Sequence, residues 1–240
     1  MKPEPFKIGV VNASSRLDPE RGQAIQAWMD QAYPGGEVRL VFHPQTFNKH
    51  GHFGGDDATR ARAFVEFAND PRLDAIWFAR GGYGSCRIAE AVLPQLNAVA
   101  RKKRYLGYSD AGSLLALLYK AGFPHLAHGP MASDGTRHEV TGRRAVDWLV
   151  SGDRASLEPS LLDDPRPAVA FNLTILNELV GTALEPDLTG HVIMLEEVSE
   201  ALYRVDRMMF HLTGQASIRR AAGIRLGRVS DVTPNDPDFG

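Results

Sequence analysis

Three stretches of the 240-residue chain combine residue types that could do chemistry. The first is Gly107-Tyr108-Ser109-Asp110-Ala111. A serine at the corner between a strand and a helix has its hydroxyl pushed outward, and small residues two places before and after it allow the sharp bend. The pattern is a relaxed form of the Gly-x-Ser-x-Gly nucleophile elbow. The following helix N-terminus could direct the Asp110 N–H at an oxyanion. By itself the motif fits a plainer role better, with Ser109 capping the helix.

The second stretch is Arg80-Gly81-Gly82-Tyr83-Gly84-Ser85. Glycines at 81, 82 and 84 let backbone approach a ligand closely. A phosphate cradle is a poor reading, because both the dinucleotide fingerprint and the P-loop Lys-Ser/Thr are missing. An oxyanion loop giving one N–H fits better, and a simple tight turn would not require three glycines. The third stretch is Glu196-Glu197, after the apolar run Val192–Leu195. A carboxylate at a strand end can orient a histidine for general-base work; a surface pair at a sheet rim is its ordinary fate. Arg204 and Arg207, three residues apart, share a helix face and could hold a substrate carboxylate or serve as salt bridges.

The eight histidines make no metal pattern. His50 and His52 straddle Gly51, His125 and His128 flank a short apolar segment, and no His-Glu-x-x-His occurs. The single cysteine, Cys86, excludes an intramolecular disulfide and reads as a small packing residue.

The elements that must position these groups alternate. Lys7–Asn12, Glu37–Phe42, Leu73–Ala79, Arg104–Tyr108 and His125–His128 read as strands. Pro19–Ala32, a segment opened by Asp56-Asp57, Cys86–Leu96 and Ala111–Lys120 read as helices. In the second of these helices Ala61, Phe64, Val65 and Ala68 give one apolar face, and Asn69-Asp70-Pro71 stops it. Such alternation predicts an α/β fold: an N-terminal, mainly parallel, Rossmann-like sheet with flanking helices over residues 1–152. Ligands collect at strand carboxyl ends in such sheets, where both 80–84 and 107–110 fall. Residues 153–167, punctuated by Asp163-Asp164-Pro165-Arg166-Pro167, read as a linker. A smaller α/β domain follows over 168–240, with helices near Leu173–Val180 and Glu200–Thr213 and strands at His191–Leu195 and Ile224–Val229. Its last residues, Asn235-Asp236-Pro237-Asp238-Phe239-Gly240, are turn formers that lead into further structure, so this domain is expected to lack its final segment.

Hydrophobic residues make up 43%, charged residues 23%, and the net charge is −2. No basic excess points to nucleic acid. No apolar run approaches a membrane span or a signal segment. A cytoplasmic protein acting on a small molecule or peptide is expected.

Order and wording together say more than each motif. Gly54-Gly55-Asp56-Asp57-Ala58-Thr59-Arg60-Ala61, Asp74 to Gly84, Leu106-Gly107-Tyr108-Ser109-Asp110, His128-Gly129-Pro130-Met131, Asn172 to Leu176, Val180-Gly181-Thr182, Leu195-Glu196-Glu197-Val198 and Tyr203-Arg204-Val205-Asp206-Arg207 resemble the LD-carboxypeptidase family of serine peptidases. The resemblance covers nearly the whole chain. It implies a Ser-Glu-His triad with Ser109 as nucleophile and Glu196 as acid, and backbone N–H groups of Gly82 and Asp110 as oxyanion hole. It implies an arginine clamp, Arg204 or Arg80, on the substrate carboxylate, no metal or cofactor, and a homodimer. The implied reaction releases terminal D-alanine from murein tetrapeptide during cell-wall recycling.

The family's catalytic histidine lies in a Gly-His segment beyond the Asn235–Gly240 stretch, and none of the eight histidines has a matching context. His191 follows Gly190 but precedes the acid. A shortened chain, a cut at this turn-rich loop with the remainder kept as a separate C-terminal polypeptide, or an inactive relative would each account for this; the cut is the preferred expectation. Two rival functions stand beside the carboxypeptidase: a microcin-immunity-like serine hydrolase of acyl-aminoacyl nucleotides, and a non-catalytic α/β ligand-binding relative.

Overall fold

The computed structural model describes residues 4–135 and 137–234. The turn expected at Asn235–Gly240 lies outside them. The first half contains β1 (Phe6–Val11), α1 (Pro19–Ala32), β2 (Val38–Phe42), α2 (Asp57–Asn69), β3 (Ala75–Phe78), α3 (Ser85–Val92), β4 (Arg104–Gly107), α4 (Gly112–Lys120), β5 (Leu126–His128), α5 (Ala132–Gly135) and α6 (Glu139–Ser151). The five strands form one parallel sheet in the order β2-β1-β3-β4-β5. This is the α/β sheet the alternation predicts.

The local reasons are visible in the residues. Asp56 caps α2 by accepting the Thr59 N–H at 2.7 Å, and Ala61, Phe64 and Ala68 bury its inner face. All four residues of β3, Ala-Ile-Trp-Phe, are buried, as a central strand covered on both sides requires. One face of the sheet packs against α2, α3 and α4, and the other against α1 and α6. β2 is added on one side of β1 and β3 to β5 on the other, and this change in the order of strand addition opens a crevice at the carboxyl ends of β1 and β3.

The second half builds a separate three-stranded parallel sheet, β6-β7-β8, from β6 (Ala168–Asn172), α7 (Leu173–Leu179), β7 (Val192–Val198), α8 (Leu202–Gly214) and β8 (Gly223–Ser230). Helix α7 packs on α4, so one apolar core runs from the first sheet through Leu114, Ile175 and Leu176 to Ile193 and Leu195 of the second.

Helix α6 and strand β6 are absent from the sequence-based expectation. Helix α6 carries its signal in Gly142, Ala145, Val146 and Leu149, all buried at helical spacing. Strand β6 begins immediately after the proline-punctuated stretch, which masks a run of only five residues. The Glu pair also sits differently from expectation. Strand β7 continues through it to Val198, with a register irregularity between Leu195 and Glu197. Among the described residues no helix is long and apolar enough to cross a membrane.

Candidate active site

Ser109 stands one residue beyond Tyr108, which follows β4, and opens a short 3-10 turn, Ser109–Ala111, that leads into α4. Its φ is +53°. A serine held in the left-handed region at a strand-to-helix corner is strained, and such strain clusters at functional sites. A helix-capping residue has extended backbone instead. Ser109 therefore does not have the extended backbone of a helix cap.

The glycine loop after β3 lies against this serine. A Cβ placed on Gly81 would stand 3.2 Å from Ser109 Oγ. Gly82 has a φ of +123°, and a side chain there would collide with Ser15. Among the described residues the Gly82 amide has no hydrogen-bond partner. Gly84, also at φ +123°, starts α3. The glycines are thus needed for different reasons: close approach at 81, and positive φ at 82 and 84.

Asp110 is buried and organises the loops around the serine. Its carboxylate accepts the Ser85 N–H at 2.8 Å, the Gly84 N–H at 3.2 Å and the Ser14 hydroxyl. The Ser85 hydroxyl donates to the Asp110 carbonyl. One side chain thereby joins the loops after β1, β3 and β4. The loop after β1 adds Ser15, whose N–H donates to the Gly81 carbonyl at 3.3 Å and whose Oγ lies 2.6 Å from His52 Nε2.

The second sheet faces this corner with β7. Glu196 and Glu197 point to opposite sides. Glu197 is buried and fully engaged: it accepts from Asn172 Nδ2 at 2.8 Å, from the Thr174 amide and hydroxyl at 2.9 and 2.7 Å, and from its neighbour Val198 at 2.8 Å. These donors explain how a carboxylate sits inside a strand, and they make it structural rather than a rim charge. Glu196 instead looks toward the first sheet, where its Oε1 lies 3.4 Å from His128 Nε2. Tyr108 stands edge-on to the His128 ring. Burial, then the charge and hydrogen bond of Asp134 and the charge of Glu196, push the Tyr108 hydroxyl up to about 12. A strained serine, a glycine loop and a carboxylate facing a histidine thus gather where the two sheets meet.

Comparison with known proteins decides the family. The LD-carboxypeptidase N-terminal domain matches residues 8–129 and the LD-carboxypeptidase C-terminal domain matches residues 167–239. The chain belongs to the LD-carboxypeptidase family. It is 28% identical over 182 residues to a murein tetrapeptide carboxypeptidase of Pseudomonas aeruginosa, covering 67% of this chain and 57% of that one. Its fold is that of a muramoyltetrapeptide carboxypeptidase from Oxalobacter formigenes (TM-score 0.76, 24% identity, 98% of this chain and 80% of that one). An MccF-like protein from Bacillus anthracis shares it equally (TM-score 0.77, 18% identity, 98% and 82%).

The remaining candidates of this LD-carboxypeptidase family member make other contacts. Arg80 is exposed near the start of the loop after β3, and its Nη1 donates to the Arg16 carbonyl at 3.2 Å. Arg204 is exposed on α8 and pairs with Glu200 at 3.0 Å, while Arg207 lies over the Tyr203 ring. Neither Arg80 nor Arg204 is brought against Ser109 by a contact in the structure. His191 pairs with the Tyr119 hydroxyl at 2.5 Å, and His211 with Asn177 at 2.7 Å. Cys86 is half-buried against the core, and desolvation pushes its thiol up, which suits a packing residue. Sequence reasoning missed His52 and His128. Only the position of His128, at the end of a short apolar run before Gly129-Pro130, hinted at a strand end beside the serine.

Proposed function

We propose that the chain is a serine carboxypeptidase that cleaves an L-to-D peptide bond in murein peptides and releases terminal D-alanine from the tetrapeptide. The observation that carries this reading is the strained Ser109, held at φ +53° against Gly81. Membership of the family and the murein tetrapeptide carboxypeptidase among its relatives support the substrate class.

In this reading Ser109 Oγ attacks the scissile carbonyl carbon while its proton passes to a histidine base. The carbonyl oxygen becomes an oxyanion between the Gly82 and Asp110 amides, where each donor contributes roughly 3–4 kcal/mol of transition-state stabilisation. Collapse breaks the C–N bond, and the base returns the proton to the departing amine of D-alanine. Water then attacks the acyl-enzyme ester, the base takes its proton, and Ser109 leaves protonated with the shortened peptide released as a carboxylic acid. Glu196 orients the base. The family resemblance implies that this histidine lies C-terminal to the Asn235–Gly240 stretch. An exposed arginine, Arg80 or Arg204, clamps the free carboxylate of the D-residue. A cytoplasmic homodimer completes the proposal.

The test is release of D-alanine from murein tetrapeptide by the purified protein, with intact mass recorded on the same sample. Release that vanishes in Ser109→Ala supports the reading. No release, or cleavage of acyl-aminoacyl nucleotides in place of the peptide, would overturn the substrate.

A further inference from the structure

We infer that His128 is a positioning residue for Glu196, reaching from the edge strand of the first sheet to hold the carboxylate of the second. This rests on the reading of Glu196 as the triad acid.

Glu196 and Glu197 are adjacent, yet only Glu197 is tied down by its own sheet. Among the described residues its donors, Asn172, Thr174 and Val198, make no such bond to Glu196. Among the described residues it is His128 that faces the Glu196 carboxylate, with Nε2 3.4 Å from Oε1. The two side chains are 13% and 26% exposed. Both ring nitrogens of His128 and the Oε1 of Glu196 are buried without a formed hydrogen bond. Unsatisfied polar atoms of this kind are costly unless they serve one another or a ligand.

His128 is itself well fixed. It ends β5 in register with Gly107, and the following amide, Gly129 N–H, donates to the Gly107 carbonyl at 3.0 Å. The Tyr108 ring stands edge-on against the imidazole, 5.9 Å between centroids. The residue that locates His128 is therefore the neighbour of Ser109. A line of contacts runs from the serine corner through Tyr108 and His128 to Glu196. It sets the carboxylate relative to the nucleophile although the two lie on different sheets. A base histidine oriented by Glu196 would inherit that placement.

The test combines kinetics and unfolding on His128→Ala, His128→Gln, Glu196→Ala and the double variant His128→Ala/Glu196→Ala. With murein tetrapeptide, His128→Ala is expected to lower kcat about 10–100-fold with KM little changed. His128→Gln, whose amide can still donate to the carboxylate, should recover most of it. In the double variant the two alanine effects should be non-additive in kcat and in melting temperature. Unchanged kcat in His128→Ala, or additive effects, would overturn the inference. A loss as complete as that of Ser109→Ala, without recovery in His128→Gln, would overturn it in favour of His128 as the base itself. If the wild type releases no D-alanine, the proposed reaction fails instead, and the melting-temperature cycle decides the pair: coupled shifts sustain it and additive shifts reject it.

Discussion

Gly81 stands directly against Ser109: a methyl group on Gly81 would lie 3.2 Å from the serine Oγ and 3.3 Å from its Cβ. The two residues follow neighbouring strands, β3 and β4, whose parallel register brings their carboxyl ends together. Gly81→Ala should therefore push the serine by a few tenths of an ångström and leave the fold intact. A misplacement of that kind is expected to lower kcat for D-alanine release about 10–100-fold, with an unchanged melting temperature. Wild-type turnover in this variant would show that Gly81 does not bound the reacting centre.

The backbone of Ser109 makes a second prediction. A non-glycine residue at φ +53° costs roughly 1–2 kcal/mol. Ser109→Gly and Ser109→Ala both remove the nucleophile, but only glycine relieves the strain. In urea denaturation Ser109→Gly should be more stable than Ser109→Ala by about 1 kcal/mol. Equal midpoints would mean that the corner stores no strain and that the serine is a cap.

Asp110 ties three loops to one carboxylate, so its removal should cost more than a surface change. Asp110→Ala leaves the buried Gly84 and Ser85 amides without their acceptor. A loss of about 2–4 kcal/mol in urea denaturation is expected, with activity abolished because the glycine loop no longer has its anchor. A midpoint near that of the wild type would show that the loop is held by its other contacts.

These side-chain roles divide into what the sequence could and could not carry. The alternation of apolar runs and capped helices is a local property, so β1 to β5 and their order of appearance were legible, as was the serine corner. The left-handed backbone of Ser109 was not, because one φ angle leaves no trace in residue types. Nor was the difference between Glu196 and Glu197, since it follows from the partners that Asn172 and Thr174 supply across the sheet. Asp110 reads in sequence as an amide donor, whereas its carboxylate has equal structural weight. His128 was passed over because its meaning comes from Glu196, 68 residues away in sequence and 3.4 Å away in space.

The last prediction concerns acid. Arg60 has no exposed side-chain surface, and its guanidinium donates to the carbonyls of Ala13 and Gly84 and to Asp57 at 2.5 Å. It thus braces the loops after β1 and β3 from beneath. Hydrogen bonds from Arg87 and then Arg60, together with their charges, hold the Asp57 carboxyl below its usual range. A carboxyl depressed in the folded state binds its proton more weakly there than in the unfolded chain. Its contribution is complete above the ordinary carboxylate pKa of about 4 and is lost as pH falls through the lower, folded value. Asp57 is 40% exposed, so screening keeps the contribution to about 1 kcal/mol. Asp57→Asn should therefore melt below the wild type at neutral pH, and the gap should close as pH falls below the ordinary carboxylate range of about 4 and through the lower folded value. A gap that stays constant over that range would mean that the Asp57 charge does not support the Arg60 brace.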